Sequence, residues 1–304
     1  MLITGGAGCI GAALVARLVA QGTAVKALKR GIDWEVPRDA TDPGRAEVSD
    51  FSGRHAVVHL AGEPIAQGRW TREKMTRIRV SRVEGTRLVA RVCARATNRP
   101  KVLVVASGTG YYGSRGDEEM TEASGVGSGF LAEVARDWEA AAQPAREAGI
   151  RVVFLRMGAV LSMRGGLLRN AWPFARAGLL CRVAGPPRWV GWIGMDDLLG
   201  VVETCLAREE IVGPLNAVAP APATLNELVN AIAAAADRPV LMAVPTWVVR
   251  AGMGHKAEAV LESCRAVPEK LRRLGFRFTH SRVEEAIAAE VGMSKTTRVD
   301  KRRD

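Results

Sequence analysis

The sequence predicts an α/β fold, a Rossmann-type doubly wound parallel sheet with a smaller C-terminal lobe on the substrate side. Two observations support this prediction. A glycine-rich turn near the start of the chain separates a short apolar run from a helical pattern. Apolar runs then alternate with helical segments as far as residue 158, as expected of a parallel sheet covered by helices on both faces.

The first turn has glycines at the spacing G-x-x-G-x-x-G, directly after the apolar residues 1–3. The first glycine permits a tight reversal, the second lets a pyrophosphate approach the backbone, and the third lets the helix pack against the sheet. The helix would direct its N–H groups and the positive end of its dipole at the phosphates. The alternative is a structural turn that has lost its ligand. The predicted dinucleotide-binding residues are Gly5, Gly8, Cys9, Ile10 and Gly11.

The second predicted strand, at residues 25–30, ends in Lys29 and Arg30. In NAD-preferring proteins an acidic residue near this point usually binds the ribose hydroxyls. Two cations instead suit the 2′-phosphate of NADP, which a guanidinium can bind with two hydrogen bonds. A solvated basic loop is the alternative, and Asp33 is close enough in sequence to reach the ribose. The pattern favours NADP as the cofactor, with NADPH preferred over NADH.

Periodic patterns place the remaining elements. Further strands are predicted at residues 33–36, 56–60, 101–106 and 151–155. Helices are predicted at residues 72–96, at 129–148 with a bend at Pro144, and at 196–207, 224–236 and 282–291. The predicted division is an NADP-binding Rossmann domain at residues 1–158 and 194–218, a small substrate-side domain at 159–193 and 219–291, and a basic, disordered tail at 292–304.

Composition and charge narrow the class of protein. The net charge of +11 could indicate nucleic-acid binding, but the cations are spread over helices without basic blocks or interleaved aromatic residues, and the tail contributes a net +3. No apolar run is long enough to span a bilayer. The five cysteines and four histidines lack metal-ligand spacing. We expect a cytoplasmic protein that binds a small-molecule substrate, with no metal, nucleic acid or membrane as a partner.

Many short motifs, in order along residues 1–290, point to one family. They are Ile3-Thr4-Gly5-Gly6, Leu60-Ala61-Gly62-Glu63-Pro64-Ile65-Ala66, Arg69-Trp70-Thr71, Ser81-Arg82-Val83, Ser107 with Tyr111-Tyr112-Gly113, Thr121-Glu122, Gly129-Phe130-Leu131-Ala132, Trp138-Glu139, Arg156-Met157-Gly158-Ala159-Val160-Leu161, Gly165-Gly166, Trp192-Ile193, Asp196-Asp197, Asn216, Ala219-Pro220 and Val244-Pro245. With these motifs the chain resembles the extended short-chain dehydrogenase/reductases, and within them an atypical branch of sugar-nucleotide epimerase-like proteins.

The resemblance implies NADP binding by a Rossmann domain and a substrate cleft on the C-terminal side of the sheet. It also implies a homodimer through the helices that flank the sheet. The turn after the strand at residues 56–60 would face the cofactor, which assigns Leu60, Ala61 and Gly62 to cofactor binding, together with Ser107.

Short-chain dehydrogenases use a serine, a Tyr-x-x-x-Lys pair and an upstream asparagine for proton transfer and orientation. By resemblance, Ser107 matches the serine, which steadies the substrate oxygen. The tyrosine place matches Phe130, the lysine place Val134, and the asparagine place Arg82. Phe130 cannot transfer a proton and Val134 cannot anchor a ribose, so the standard chemistry is absent.

A surviving enzyme would need a substitute acid or base. Tyr111 or Tyr112 could supply a proton, or could instead pack or bind ribose. Glu63 could act as a base, or could cap a helix or pair with Arg69. Arg82 could bind an anionic substrate or the cofactor, or could form a structural ion pair.

Two functions remain open at this point. The first is an NADP-dependent oxidoreductase or epimerase of a small polar substrate, with Ser107 and a non-standard acid. The second is a catalytically silent NADP-binding protein that senses the cofactor or binds a partner. The glycine turn and Ser107 favour the first function, whereas the missing tyrosine and lysine favour the second.

Overall fold

The computed structural model describes residues 1–29, 31, 33–35 and 44–300, with side chains as far as residue 294. In chain order, its strands are β1 Leu2–Thr4, β2 Lys26–Leu28, β3 Trp34–Glu35, β4 Arg45–Ala46, β5 Ala56–His59, β6 Val102–Gly108, β7 Glu119–Met120, β8 Arg151–Met157, β9 Ala159–Leu161, β10 Arg182–Val183, β11 Trp189–Val190, β12 Trp192–Gly194, β13 Gly213–Ala217, β14 Ala223–Thr224, β15 Ala243–Val244 and β16 Arg265–Ala266.

The helices predicted at residues 72–96, 196–207 and 224–236 are confirmed, whereas five of the helices in the described residues were not predicted. The helices are α1 Cys9–Ala20, α2 Val48–Phe51, α3 Arg72–Arg95, α4 Phe130–Ala140, α5 Gln143–Glu147, α6 Gly166–Arg176, α7 Met195–Ala207, α8 Leu225–Ala235, α9 Thr246–Met253, α10 Lys256–Leu261, α11 Glu269–Arg273 and α12 Val283–Asp300. A short 3-10 helix, Thr109–Tyr112, follows β6.

Six strands form a central sheet in the order β13-β8-β6-β5-β1-β2, and β1 pairs in parallel with both β2 and β5. Strands β1 and β5 are buried along their whole length, as expected for continuous apolar runs in a central parallel sheet. This arrangement confirms the predicted α/β class with a Rossmann-type sheet. The chain leaves β1 toward β2 on one side and later occupies β5 on the other, so the strand order reverses between β1 and β5. Ligands of such sheets bind at the carboxyl ends of the strands at this point.

The helix predicted at residues 129–148 is two helices, α4 and α5, rather than one bent helix. Pro144 lies in the first turn of α5, where its missing N–H breaks no intrahelical hydrogen bond. The proline therefore starts a new helix instead of bending an existing one.

The chain divides into two compact units. The first comprises Met1–Tyr111, Val126–Arg156 and Leu199–Leu215, and the second comprises Tyr112–Gly125, Met157–Leu198 and Asn216–Asp304. The predicted division differs at residues 112–125, 157–158, 194–198 and 216–218, which belong to the second unit. The reason lies in strand pairing, because β7 pairs with β16 and β12 pairs with β9, both within that unit.

The second unit has its own core. Helices α6, α8 and α12 contribute the buried side chains Leu168, Leu228 and Ile287 to it. The helix α12 continues to Asp300, so the predicted disordered tail, which was to start at residue 292, begins inside a helix.

His59, the last residue of β5, is a fully buried side chain of the first unit. Its Nδ1 atom lies 2.6 Å from Thr4 Oγ1, and the indole of Trp34 packs edge-on against the imidazole at a centroid distance of 5.8 Å. Burial lowers the pKa of His59 from 6.5 to about 4. The imidazole is therefore neutral at neutral pH, next to the point where β1 and β5 end.

We expect His59 to make the free energy of unfolding decrease as the pH falls from 6.5 to about 4. In this range the imidazole is protonated in the unfolded chain but neutral in the folded one, so added protons favour unfolding. The loss attributable to this group should be about 2–3 kcal/mol. Urea unfolding at about pH 7 and about pH 4.5 measures it, and His59→Gln should show a smaller loss than the wild type.

The matched control is His55→Gln, because the His55 side chain is exposed. This variant should lose as much stability as the wild type between the two pH values. An equal loss in the wild type and in His59→Gln would contradict the assignment.

Candidate functional site

Two turns meet at the carboxyl ends of β1 and β5. Gly5 follows β1 with a φ of +75°, and a Cβ atom there would lie 2.7 Å from the backbone nitrogen of Ala61. A Cβ atom at Gly11 would lie 2.2 Å from the carbonyl oxygen of Gly5. Cβ atoms do not approach other atoms this closely, so both positions need glycine. The structure thus brings the predicted glycine turn against the predicted cofactor residues Leu60 and Ala61.

The N-terminus of α1 follows this turn. The N–H of Gly8 donates a 2.9 Å hydrogen bond to the carbonyl oxygen of Gly5, which closes the turn. Among the described residues no side chain caps α1, and its first turn, which begins with Cys9 and Ile10, contains no carboxylate. The positive end of the helix dipole therefore has no anionic side chain in its own first turn, and a diphosphate fits this position.

Lys29 follows β2 at an exposed position. Its backbone N–H donates to Asp33 Oδ2 at 2.7 Å, and the Asp33 N–H donates to the Lys29 carbonyl at 2.9 Å. Asp33 therefore closes a local turn through Oδ2, one of the two carboxylate oxygens that the sequence analysis considered as ligands of the ribose. The second predicted cation, Arg30, lies outside the described residues.

Ser107 belongs to a buried network at the end of β6. Its hydroxyl donates to Glu139 Oε1 at 2.8 Å, and Arg156 donates to both carboxylate oxygens of Glu139, each at 2.8 Å. Only 3% of Ser107 and 3% of Arg156 is exposed. Because the single hydroxyl proton points to a carboxylate, the Ser107 oxygen can only accept a further hydrogen bond. In this arrangement the Ser107 proton is used within the protein, and the predicted contact of Ser107 with a substrate oxygen stays a prediction.

The two tyrosines have different surroundings. Tyr112 is fully buried, and its hydroxyl donates to Asn216 Oδ1 at 2.6 Å. It is a packed residue of the second unit, as in the alternative considered from the sequence, and a role as proton donor to substrate stays a prediction. Tyr111 is half-buried in the first unit, and the guanidinium of Arg156 lies 3.4 Å from the centroid of its ring.

Glu63 forms an ion pair with Lys74, with 2.7 Å between Oε1 and Nζ, and its carboxylate also lies 3.6 Å from Arg77. Burial would raise the pKa of Glu63, but the hydrogen bond and charge of Lys74, assisted by Arg77, outweigh it and lower the pKa. The group is thus a stabilised carboxylate and a weak base. From the sequence, Arg69 was a possible partner of Glu63. The observed partners are Lys74 and Arg77, which face the carboxylate from the first turns of α3.

Arg82, at the asparagine place, projects from α3 toward the turn after β5. Its Nη1 donates to the carbonyl oxygens of Glu63 at 3.0 Å and Ile78 at 3.3 Å. Burial lowers the pKa of Arg82 to about 10, and the Glu63 carboxylate opposes this shift. No ion pair of Arg82 with a carboxylate is present among the described residues, so the structural ion pair considered from sequence is not observed.

Phe130 and Val134, which the resemblance assigns to the tyrosine and lysine places, make apolar contacts in the first unit. The Phe130 ring packs edge-on against Trp70 at a centroid distance of 5.7 Å, and Val134 is 2% exposed. Neither side chain offers a proton or a charge. The described residues contain no group of three His, Cys, Asp or Glu side chains placed to bind a metal, and no helix in this part of the chain is long and apolar enough to cross a membrane.

The model of the NAD dependent epimerase/dehydratase family matches residues 1–176, which include both turns and α3. The chain belongs to this family. A second model, for a domain of unknown function (DUF1731), matches residues 244–290. The family membership confirms the resemblance to epimerase-like short-chain dehydrogenase/reductases that the motifs indicated.

Known relatives cover nearly the whole chain. The epimerase family protein Mb2239 of Mycobacterium bovis is 36% identical over 293 residues, which are 94% of this chain and 95% of the relative. The crystal structure of human epimerase family protein SDR39U1 with NADPH has a TM-score of 0.84 at 29% identity, and covers 96% of this chain and 98% of the human one. The nucleoside-diphosphate sugar epimerase of Corynebacterium glutamicum has a TM-score of 0.75 at 33% identity; the match covers 96% of this chain but 58% of that longer chain.

Sequence reasoning missed the partners of several predicted residues. Glu139 and Arg156 both lie in the family motifs, but nothing in the sequence shows that they bind each other and Ser107. Lys74 gave no signal beyond its place on a helix, although it determines the charge state of Glu63. Such pairings depend on which turns of α3 and α4 face the loops, and the periodic pattern does not specify this.

Glu139→Gln should destabilise the protein strongly, because it removes the carboxylate charge that the buried Arg156 guanidinium binds with two hydrogen bonds. Breaking a buried ion pair in this way costs about 3–5 kcal/mol. Denaturant unfolding at neutral pH measures the change in the free energy of unfolding.

Glu203→Gln is the matched control. Glu203 accepts two hydrogen bonds from Arg17 at 2.9 Å, the same bidentate geometry, but both side chains are partly exposed. The control should lose less than about 1 kcal/mol. Similar small losses in the two variants would show that the Glu139 pair is not the buried, stabilising interaction described above.

Proposed function

We propose that this protein binds NADP(H), prefers NADPH over NADH, and acts as an oxidoreductase or epimerase of a small polar substrate without a Tyr-x-x-x-Lys pair. The observation that carries the proposal is the packed glycine turn between β1 and α1, in which Gly5 and Gly11 admit no Cβ atom. Together with the helix start that lacks a side-chain cap, this turn suits a diphosphate. The NADPH-bound human relative supports the same cofactor.

The residues divide between parts of the dinucleotide. The glycine turn would bind the diphosphate through Gly5, Gly8, Cys9, Ile10 and Gly11. The cations after β2, Lys29 and Arg30, would bind the 2′-phosphate. The turn after β5 would bind the remainder of the cofactor through Leu60, Ala61 and Gly62.

The nicotinamide of the bound cofactor supplies or accepts the hydride, and the protein must then orient the substrate and stabilise charge. Three of the candidate groups already have partners: the Ser107 proton is given to Glu139, the Tyr112 hydroxyl to Asn216, and the Glu63 carboxylate is paired with Lys74. The other two candidates for contact with substrate are Tyr111, whose ring packs against the Arg156 guanidinium, and Arg82. Catalysis would therefore depend on orientation and on a fixed positive charge more than on proton transfer.

The second candidate function is a catalytically silent NADP(H)-binding protein. The same engaged groups favour it, because none of Ser107, Tyr112 and Glu63 is ready to exchange a proton with a ligand. Incubation of the protein and a cellular metabolite mixture with deuterium-labelled NADPH distinguishes the two functions. Transfer of deuterium to a metabolite supports the enzyme, whereas tight NADPH binding without transfer supports the silent protein.

Several expectations from the sequence stay predictions. They are the small-molecule substrate, the homodimer, the cytoplasmic location and the lack of a nucleic-acid or membrane partner. All five cysteines are free thiols, which is consistent with a reducing compartment. A relative from Arabidopsis thaliana, 35% identical, is described as chloroplastic.

Lys29→Glu should abolish the preference for NADPH. In the wild type we expect the dissociation constant of NADPH to be at least about tenfold lower than that of NADH, because a cation pairs with the 2′-phosphate. Fluorescence titration of both nucleotides measures the ratio. Lys101→Glu makes the same charge change at another exposed lysine and should leave the ratio unchanged. Comparable affinities of the wild type for the two nucleotides would refute the preference.

Gly11→Ala should weaken binding of NADPH and NADH together, by about tenfold or more, because the added methyl group displaces the carbonyl of Gly5. Gly125→Ala is the control, since a Cβ atom at Gly125 meets nothing within 4 Å. Calorimetric titration gives both affinities, and circular dichroism confirms that the variants are folded. Undiminished binding in folded Gly11→Ala would place the diphosphate elsewhere.

A further inference from the structure

Two contacts fix the guanidinium of Arg82 beside the turn after β5. A Cβ atom on Gly62 would lie 3.4 Å from Arg82 Nη1, and Arg82 Cζ lies 5.0 Å from the ring centroid of Trp138. The indole is itself fixed, because its N–H donates to Thr86 Oγ1 at 2.7 Å. The group is therefore positioned by packing and by cation–π attraction rather than by an opposite charge.

Hydrogen bonds within the described residues use one of the three nitrogen atoms of Arg82. Nη1 donates to the carbonyl oxygens of Glu63 and Ile78. Nε and Nη2 form no hydrogen bond within the described residues. The buried side-chain atoms without a partner in these residues do not include them, so both atoms reach accessible surface. These two atoms form one edge of the guanidinium plane, the edge that binds both oxygens of a carboxylate or phosphate.

The charge around Arg82 is unbalanced. The negative charge that acts on Arg82 is that of Glu63, whose carboxylate pairs with Lys74 and lies 3.6 Å from Arg77. Lys74 and Arg77 thus share the Glu63 carboxylate, whereas Arg82 bonds only to the Glu63 backbone carbonyl. A partly buried cation that no carboxylate contacts is costly, and such groups are found where a ligand supplies the missing charge.

We propose that Arg82 binds an anionic group, a carboxylate or a phosphate, of a ligand that enters beside Gly62. The inference rests on the proposed function, because the anion belongs to either the substrate or the dinucleotide. In the first case the substrate is an acid rather than a neutral polar molecule, and Arg82 orients it with two hydrogen bonds from Nε and Nη2.

The test uses acetate, oxalate and inorganic phosphate as probes. Calorimetry measures the affinity of each for the NADPH-loaded protein and for the protein without nucleotide, and separately measures the affinity for NADPH. The variants are Arg82→Gln, which removes the charge, and Arg82→Lys, which keeps the charge but loses the planar edge. Arg91→Gln is the control, since Arg91 is an exposed arginine of the same helix.

If the anion belongs to the substrate, at least one probe binds the loaded wild type, Arg82→Gln weakens it about tenfold or more, and NADPH affinity is unchanged. If the anion belongs to the dinucleotide, NADPH affinity itself falls about tenfold in Arg82→Gln and no probe binds the loaded protein. Arg82→Lys should give an intermediate loss, and Arg91→Gln none. Should Arg82→Gln fail to fold, Arg82→Lys decides in the same way.

Equal affinities of the wild type and the Arg82 variants for all ligands would overturn the proposal. Failure of the proposed function looks different: the wild type would bind a probe through Arg82 but would not bind NADPH. If it bound neither, both proposals would fall.

Discussion

The close approach of two turns is the constraint on which the candidate site depends. Parallel pairing of β1 and β5 brings the residues that follow them side by side, and Gly5 then packs against the backbone at Ala61. Gly11 packs in turn against the Gly5 carbonyl and so fixes where α1 begins. The direction of the helix dipole, the position of the turn and the access of a ligand to the backbone follow from backbone contact alone, with no side chain involved.

The polar side chains among the candidate residues divide into two kinds. Some donate their hydroxyl proton to another protein group, as Ser107 does to Glu139 and Tyr112 does to Asn216. Their hydrogen bonds are directed inward, and they stabilise the structure. Arg82 differs, because its bonds to the protein occupy only one edge of its guanidinium. What distinguishes the two kinds is whether the side chain keeps hydrogen-bonding atoms that the described residues do not use, and residue type alone does not reveal this.

The fold was largely predictable from the sequence, because continuous apolar runs such as β5 and 3.6-residue periodicity such as that of α3 report burial directly. The cofactor turn was predictable for a related reason, since glycine spacing reflects local backbone geometry. Side-chain partners were not. The pairing of Glu63 with Lys74 depends on how the start of α3 faces the loop before it, and the burial of Tyr112 accompanies its bond to Asn216, which is distant in sequence. The start of α5 at Pro144 shows the same limit on a smaller scale.

The buried pair of Glu139 and Arg156 also has an evolutionary consequence. Neither Phe130 nor Val134, which the resemblance assigns to the tyrosine and lysine places, takes part in the hydrogen bonds of this pair. A substitution at either position therefore leaves the hydrogen bonds of the pair in place. The end of the sheet and the side chains at those two places are held by separate interactions, so evolution can alter one without dismantling the other.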